Sequence, residues 1–71
     1  MQFGKILKSK RQSNDLTQAE LSELSTVNRA SISQYEHGIK QPSLESLIAL
    51  ADTFDCTLDE LLGRQKYIGK E

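Results

Sequence analysis

The stretch TQAELSELSTVNRASISQYE, residues 17–36, decides the fold of this chain. It contains two short helical segments, at about residues 17–24 and 28–37, with only a tight turn between them. Two helices of this length joined so closely predict a helix-turn-helix, a motif that can lay its second helix in the major groove of DNA. The second segment also carries polar residues on a face that a core does not need. The stretch therefore predicts a DNA-reading surface as well as a fold.

One arrangement of residues marks the start of four helices. An apolar residue precedes a capping residue, and a second apolar residue follows four positions after the cap. The side-chain oxygen of the cap accepts a hydrogen bond from a free backbone N–H, while the apolar pair fixes how the chain enters the helix. The four sets are Leu16-Thr17-Leu21, Val27-Asn28-Ile32, Pro42-Ser43-Leu47 and Cys56-Thr57-Leu61. Glu20 and Glu60 complete capping boxes in two of them.

Turn residues supply the remaining helix ends. The pair Asn14-Asp15 favours a turn after the first helix, and Gly38 and Gly63 are natural stops after the third and fifth. The predicted helices cover residues 3–13, 17–24, 28–37, 43–54 and 57–62, and no stretch has a strand pattern. The sequence thus predicts an all-α, compact five-helix DNA-binding domain at residues 1–63 and a C-terminal tail at residues 64–71.

Composition excludes several classes of protein. The 71 residues are 37% hydrophobic and 27% charged, the balance of a soluble globular domain. No apolar run approaches the roughly 20 residues that span a bilayer, and no signal peptide is recognisable, so we expect a cytoplasmic protein without membrane association. One cysteine, Cys56, excludes an internal disulfide and a cysteine zinc cage. Without a catalytic constellation or a phosphate loop, we expect no enzyme, no metal and no cofactor.

The distribution of charge matters more than its total of −1. A slightly acidic chain argues against binding to DNA, which usually requires a basic domain. However, residues 1–43 carry six basic and four acidic side chains, whereas residues 44–71 carry three basic and six acidic ones. Such an asymmetry can orient a protein on a polyanion with its amino-terminal part inward.

Three pieces of the chain carry a resemblance to a known family. They are LTQAELSEL from residue 16, VNRASISQYEHG from residue 27 and QPSLESLIALADTFDCTLDELL from residue 41. In this order and at this spacing, they resemble the lambda-repressor-like helix-turn-helix domains of the phage Cro and repressor type. The resemblance covers about residues 3–63, nearly the whole chain.

The resemblance implies a role for individual residues. The residues expected to read base edges are Asn28, Arg29, Ala30, Ser33 and Gln34. Those expected to contact phosphates are Gln18, Ser31, His37, Lys40, Gln41 and Ser43. Arg can donate two hydrogen bonds to guanine, Gln or Asn can bond adenine through two atoms, and an Ala methyl can touch the thymine methyl. In some family members an Arg of the first helix pairs with a Glu of the third, which here are Arg11 and Glu36; Arg11 could equally be a DNA ligand.

Two positions depart from the family pattern. The turn residue, often Gly in the family, is Thr26, and a β-branched residue with positive φ is strained. We therefore expect the turn to adopt another geometry. The usual small Ala inside the second helix is Ser22, which we expect to bond back to its own helix.

The sequence thus predicts a bacterial or phage-encoded, nucleoid-associated transcription regulator of double-stranded DNA, most simply a repressor. Because one copy reads few base pairs, we expect a homodimer on a palindromic operator. The predicted dimer surface of the chain consists of the apolar residues that we expect the core to need least. These are Leu58, Leu62, Tyr67 and Ile68. One alternative is an antitoxin-like module that binds a protein partner through its acidic half and DNA only secondarily. Another is a restriction–modification controller, and exposed Arg29 and Gln34 could also be a plain solvated face.

Overall fold

The computed structural model describes residues 3–63 and shows five α-helices joined by short connections. They are α1 (Phe3–Ser13), α2 (Gln18–Ser25), α3 (Arg29–Glu36), α4 (Leu44–Phe54) and α5 (Leu58–Leu62). The predicted all-α fold is confirmed, with no strand in this part of the chain. The predicted ranges differ from the observed helices only at their ends, chiefly because they counted the capping residues. Within the same residues, no helix combines the length and apolar character required to cross a bilayer.

All four predicted N-caps are present. Thr17 Oγ1 accepts from the Glu20 N–H at 3.0 Å, and Glu20 Oε1 accepts from the Thr17 N–H at 2.8 Å. Thr57 and Glu60 repeat this capping box at α5, with distances of 3.1 and 2.9 Å. Asn28 and Ser43 cap α3 and α4 through their side-chain oxygens alone, without a capping box. Because each cap satisfies an otherwise free N–H, local chemistry fixes where the helices begin.

The core takes one wholly buried side chain from every helix. These five side chains are Leu7, Leu21, Ile32, Leu50 and Leu61. Three of them are apolar residues that follow a cap by four positions, so the entry geometry of α2, α3 and α5 also places their core residues. Phe3 of α1 packs edge-on against Tyr35 of α3, with ring centroids 5.7 Å apart. This packing leaves the opposite face of α3 free.

The ends of α1 and α4 rely on left-handed residues that are not glycine. Asp15 follows α1 with φ 57°, and Asp55 follows α4 with φ 54°. In both places the next N–H reaches back to a carbonyl five residues earlier, Leu16 to Arg11 at 3.1 Å and Cys56 to Ala51 at 3.0 Å. These are Schellman-type ends, which satisfy carbonyls that the helix leaves open. Gly38, with φ 72°, ends α3 as predicted.

The turn between α2 and α3 departs from two expectations. Thr26 has φ 62° and ψ 12°, so the turn keeps left-handed geometry and the expectation of another geometry is wrong. Ser22 does not bond back to its own helix, because its hydroxyl donates to the carbonyl of Val27 at 2.6 Å. Ser25, which the sequence did not single out, lies buried beside them.

The structure contradicts the reason for which the dimer surface was predicted. Leu58 and Leu62 are half-buried and pack against the core, so they are not the apolar residues that the core needs least. Tyr67 and Ile68 lie outside the described residues. The large apolar side chains most exposed in the described part of the chain are Leu24, Ile39, Leu44 and Ile48.

Candidate nucleic-acid interface

The two faces of α3 differ sharply in exposure. Ile32 is 0% exposed and Tyr35 is 4% exposed, because both point into the core. On the opposite face, Arg29 and Gln34 are exposed. Ala30 is also exposed beside them, and Ser33 is half-buried. Four of the five predicted base-reading residues therefore share one accessible strip, which offers a guanidinium, an amide, a hydroxyl and a methyl group.

The fifth predicted reader, Asn28, is engaged in the start of α3. Its Oδ1 accepts hydrogen bonds from the N–H groups of Ala30 at 2.8 Å and Ser31 at 3.4 Å. Reading adenine through two atoms needs both the amide oxygen and the amide nitrogen. Gln34 has both available, whereas Asn28 can offer its Nδ2 without giving up the cap. The capping pattern in the sequence already indicated that the side-chain oxygen of Asn28 would be engaged.

A buried ion pair joins α1 to α3 behind this strip. Arg11 Nε donates to Glu36 Oε2 at 2.7 Å, and the Arg11 and Glu36 side chains are only 12% and 3% exposed. A second guanidinium nitrogen of Arg11 donates to the carbonyl of Leu16 at 2.8 Å. The hydrogen bond to Glu36 is the main cause that raises the pKa of Arg11. In this structure Arg11 is therefore a structural partner with most of its donors in use.

The same carboxylate holds Gln18 at the start of α2. Gln18 Nε2 donates to Glu36 Oε1 at 3.1 Å, while Arg11 donates to that oxygen from the other side at 3.1 Å. Gln18 thus has a fixed position beside the first free N–H groups of α2. Such groups attract a phosphate oxygen through their partial positive charge.

Four of the six predicted phosphate contacts line a groove between α3 and α4. The groove has a volume of about 540 Å³, and Ser31, Lys40, Gln41 and Ser43 line it. Gln18 and His37 lie outside this lining. The imidazole Nδ1 of His37 lies 2.8 Å from the Ser33 carbonyl at the end of α3.

Sequence reasoning missed a charged member of the groove. Glu45, in the first turn of α4, lines it together with Lys40. Its only sequence signal was an acidic residue near a helix start, which is ordinarily a favourable dipole contact. The groove therefore carries one basic and one acidic side chain, Lys40 and Glu45.

A sequence model of the helix-turn-helix family matches residues 7–61. The chain belongs to the helix-turn-helix family. The HTH-type transcriptional activator BcrR of Enterococcus faecalis is 38% identical over 68 residues, which are 96% of this chain and 33% of BcrR. This helix-turn-helix chain spans only part of its curated relatives, between 33% and 57% of their length.

Solved structures of helix-turn-helix proteins give the same fold. The restriction-modification controller protein C.AhdI from Aeromonas hydrophila has a TM-score of 0.80 at 32% identity, covering 84% of this chain and 91% of that one. The P22 c2 repressor protein, solved in complex with a synthetic operator, has a TM-score of 0.78 at 30% identity, covering 83% of this chain and 89% of that one. The predicted resemblance to lambda-repressor-like domains is confirmed.

Proposed function

We propose that this chain is a sequence-specific transcription regulator that reads double-stranded DNA with α3 in the major groove. The observation that carries the proposal is the accessible strip of Arg29, Ala30, Ser33 and Gln34 opposite the buried Ile32 and Tyr35. A helix anchored on one face and polar on the other is the arrangement that places side chains against base edges. The likeness to a repressor solved with its operator supports the same docking.

The geometry divides the contacts into two kinds. Arg29 and Gln34 would determine which bases are bound, because each can make two hydrogen bonds to one base. Gln18, Ser31, Lys40 and Gln41 would hold the protein in register through phosphates, which carry no sequence information. Asn28 and Ser43 already use their side-chain oxygens as caps, and the Ser43 hydroxyl also donates to Ser46 Oγ. Asn28 would therefore contribute its Nδ2, and Ser43 its backbone N–H.

A homodimer on an inverted repeat follows from the small reading surface. Four side chains on one helix reach few base pairs, which discriminate poorly against the sites of a genome. Two copies with their α3 helices about 34 Å apart would read successive major grooves on one side of the duplex. Repression requires only that the bound dimer blocks a promoter, so it is the simplest consequence of the docking.

A restriction–modification controller is the second candidate. Its support is the C.AhdI likeness, which covers 91% of that controller with a TM-score of 0.80. Controller and repressor would share the DNA surface and differ in the gene that the bound site regulates. The sequence recovered by selection, placed on a genome, separates the two.

The test is selection of binding sites from a randomised duplex library at near-physiological salt. We expect an inverted repeat whose half-sites are about one helical turn apart. Arg29→Ala should then cost about 1–3 kcal/mol and relax the base preference at one position of each half-site. Lys40→Ala should weaken all sequences alike and lower the salt slope by about one.

Lys10→Ala is the matched control for Lys40→Ala. It removes the same charge, but Lys10 lies on the α5 side, where it influences Cys56 and Glu60 electrostatically. We expect it to leave specific binding nearly unchanged. Retention of DNA with no enriched sequence, lost as salt rises, would overturn the proposal because it reports phosphate attraction alone.

A further inference from the structure

The turn that joins α2 to α3 holds an unfavourable residue. Thr26 is β-branched and has φ 62°, a left-handed conformation that costs an ordinary L-residue about 1–2 kcal/mol. Its N–H donates to the Ser22 carbonyl at 2.8 Å, which closes the end of α2. A strained residue persists only where its surroundings determine its conformation. The neighbouring hydrogen bonds show what those surroundings are.

Two serine hydroxyls bind both polar groups of the Val27 backbone. Ser25 Oγ accepts from the Val27 N–H at 3.2 Å and donates to the Leu21 carbonyl at 2.7 Å. Ser22 Oγ donates to the Val27 carbonyl at 2.6 Å. Within residues 3–63, these are the only hydrogen bonds that the Val27 backbone makes. We call this arrangement of Ser22, Ser25 and Val27 the serine clamp.

The serine clamp acts at the base of the reading helix. Val27 is 7% exposed and immediately precedes Asn28, the cap of α3. The eight residues of α3 extend about 12 Å at 1.5 Å per residue, so a 10° rotation at Val27 would move the far end by about 2 Å. Recognition sites tolerate errors of only about 0.5 Å or 10–20°. The angle between α2 and α3 must therefore be held closely.

We propose that Ser22 and Ser25 are positioning residues for DNA recognition, because their clamp on Val27 sets the angle at which α3 leaves α2. The inference rests on the proposed function and assigns it two residues that touch no base. It also explains how the turn keeps left-handed geometry without glycine, since both hydroxyls fix the backbone on the far side of Thr26. Without them, α3 would sample several angles while its core contacts persisted.

The experiment measures Ser22→Ala and Ser25→Ala against Thr53→Ala. Thr53 is the matched control because its hydroxyl donates to the Ala49 carbonyl at 2.8 Å inside α4, away from the turn. The readout is the ratio of affinity for the selected operator to affinity for unrelated duplex, measured well below the unfolding temperature. We expect about a tenfold loss of this ratio in each clamp variant, the scale of one hydrogen bond, and no loss in Thr53→Ala. Ser22→Thr, which keeps the hydroxyl, should recover most of it.

A DNA-free measurement separates this inference from the proposed function. Residual dipolar couplings of backbone amides report the angle between α2 and α3 in the free protein. We expect Ser22→Ala to change or broaden that angle even if no operator exists. An unchanged angle would overturn the proposed role of the serine clamp. So would clamp variants that keep the affinity ratio and lose only thermal stability, as Thr53→Ala does. If buried Ser25→Ala does not fold, the half-buried Ser22 variant alone decides between these results.

Discussion

The ion pair between Arg11 and Glu36 allows a quantitative test of the packing. The Glu36 side chain is 3% exposed, and its carboxylate has Arg11 and Gln18 as partners. Arg11→Met would keep the apolar stem but leave the carboxylate buried without a cation. Breaking a buried pair in this way costs about 3–5 kcal/mol. The part-buried Leu16 carbonyl would also lose the hydrogen bond from Arg11.

This loss is comparable with the whole stability of the domain. About 60 residues at about 0.05–0.15 kcal/mol each give a free energy of unfolding of about 3–9 kcal/mol. We therefore expect Arg11→Met to unfold partly at 25 °C in the absence of denaturant. Replacing both partners, as Arg11→Met with Glu36→Leu, removes the unpaired charge. The double variant should return to within about 2 kcal/mol of the natural chain.

Urea unfolding followed by circular dichroism measures all four proteins of this double-mutant cycle. The expected result is a coupling free energy of several kcal/mol between the two positions, with the double variant more stable than either single one. Glu36→Leu alone should be the milder single change, because Arg11 is longer and can turn its charge toward solvent. An Arg11→Met variant within 1 kcal/mol of the natural chain would refute the reasoning, since the carboxylate would then be solvated.

Three further predictions follow from the helix ends and the surface. Thr26→Gly should raise the free energy of unfolding by about 0.5–1 kcal/mol, because relief of left-handed strain exceeds the added entropy of the unfolded chain; Asp55→Gly is the control with a smaller gain, and equal gains would contradict the strain. The hydrogen bond from the Thr57 N–H holds the pKa of Glu60 below its ordinary value of 4.5. The ionised Glu60 therefore stabilises the fold above pH 4.5, and this stabilisation is lost as the pH falls through the folded-state pKa. Glu60→Gln should make the melting temperature less dependent on pH below 4.5. Leu62→Glu should lower the free energy of unfolding because Leu62 packs against the core, whereas Leu44→Glu, at the exposed start of α4, should keep the fold and give monomers in sedimentation equilibrium. Folded dimers of Leu44→Glu would contradict a dimer surface at the start of α4.

The helix starts could be predicted because their causes are local. Thr17, Asn28, Ser43 and Thr57 each satisfy an N–H two or three residues away, so the sequence alone contains both partners. The exposed strip of α3 was predictable for a related reason. The 3.6-residue period that buries Ile32 places Ala30 and Gln34 on the opposite side of α3, where both are exposed.

The features that the sequence missed depend on contacts between helices. Whether Leu58 and Leu62 are needed by the core is decided by how α5 docks, and no local pattern records that. The partner of Ser22 lies across a turn, where a single backbone conformation determines whether its hydroxyl reaches Val27 or its own helix. Those contacts maintain the left-handed conformation of Thr26. The conformational preference of Thr alone favoured a different turn.

The core of one wholly buried side chain per helix also bears on how long the protein lasts in a cell. Because Leu7, Leu21, Ile32, Leu50 and Leu61 belong to one core cluster, detaching any helix removes a wholly buried side chain from that cluster. Cleavage within a helix therefore requires an opening that disrupts the shared core. When such openings close faster than they are cut, the lifetime of the protein follows its global stability. Substitutions far from the DNA surface would then change regulation by changing how many copies persist.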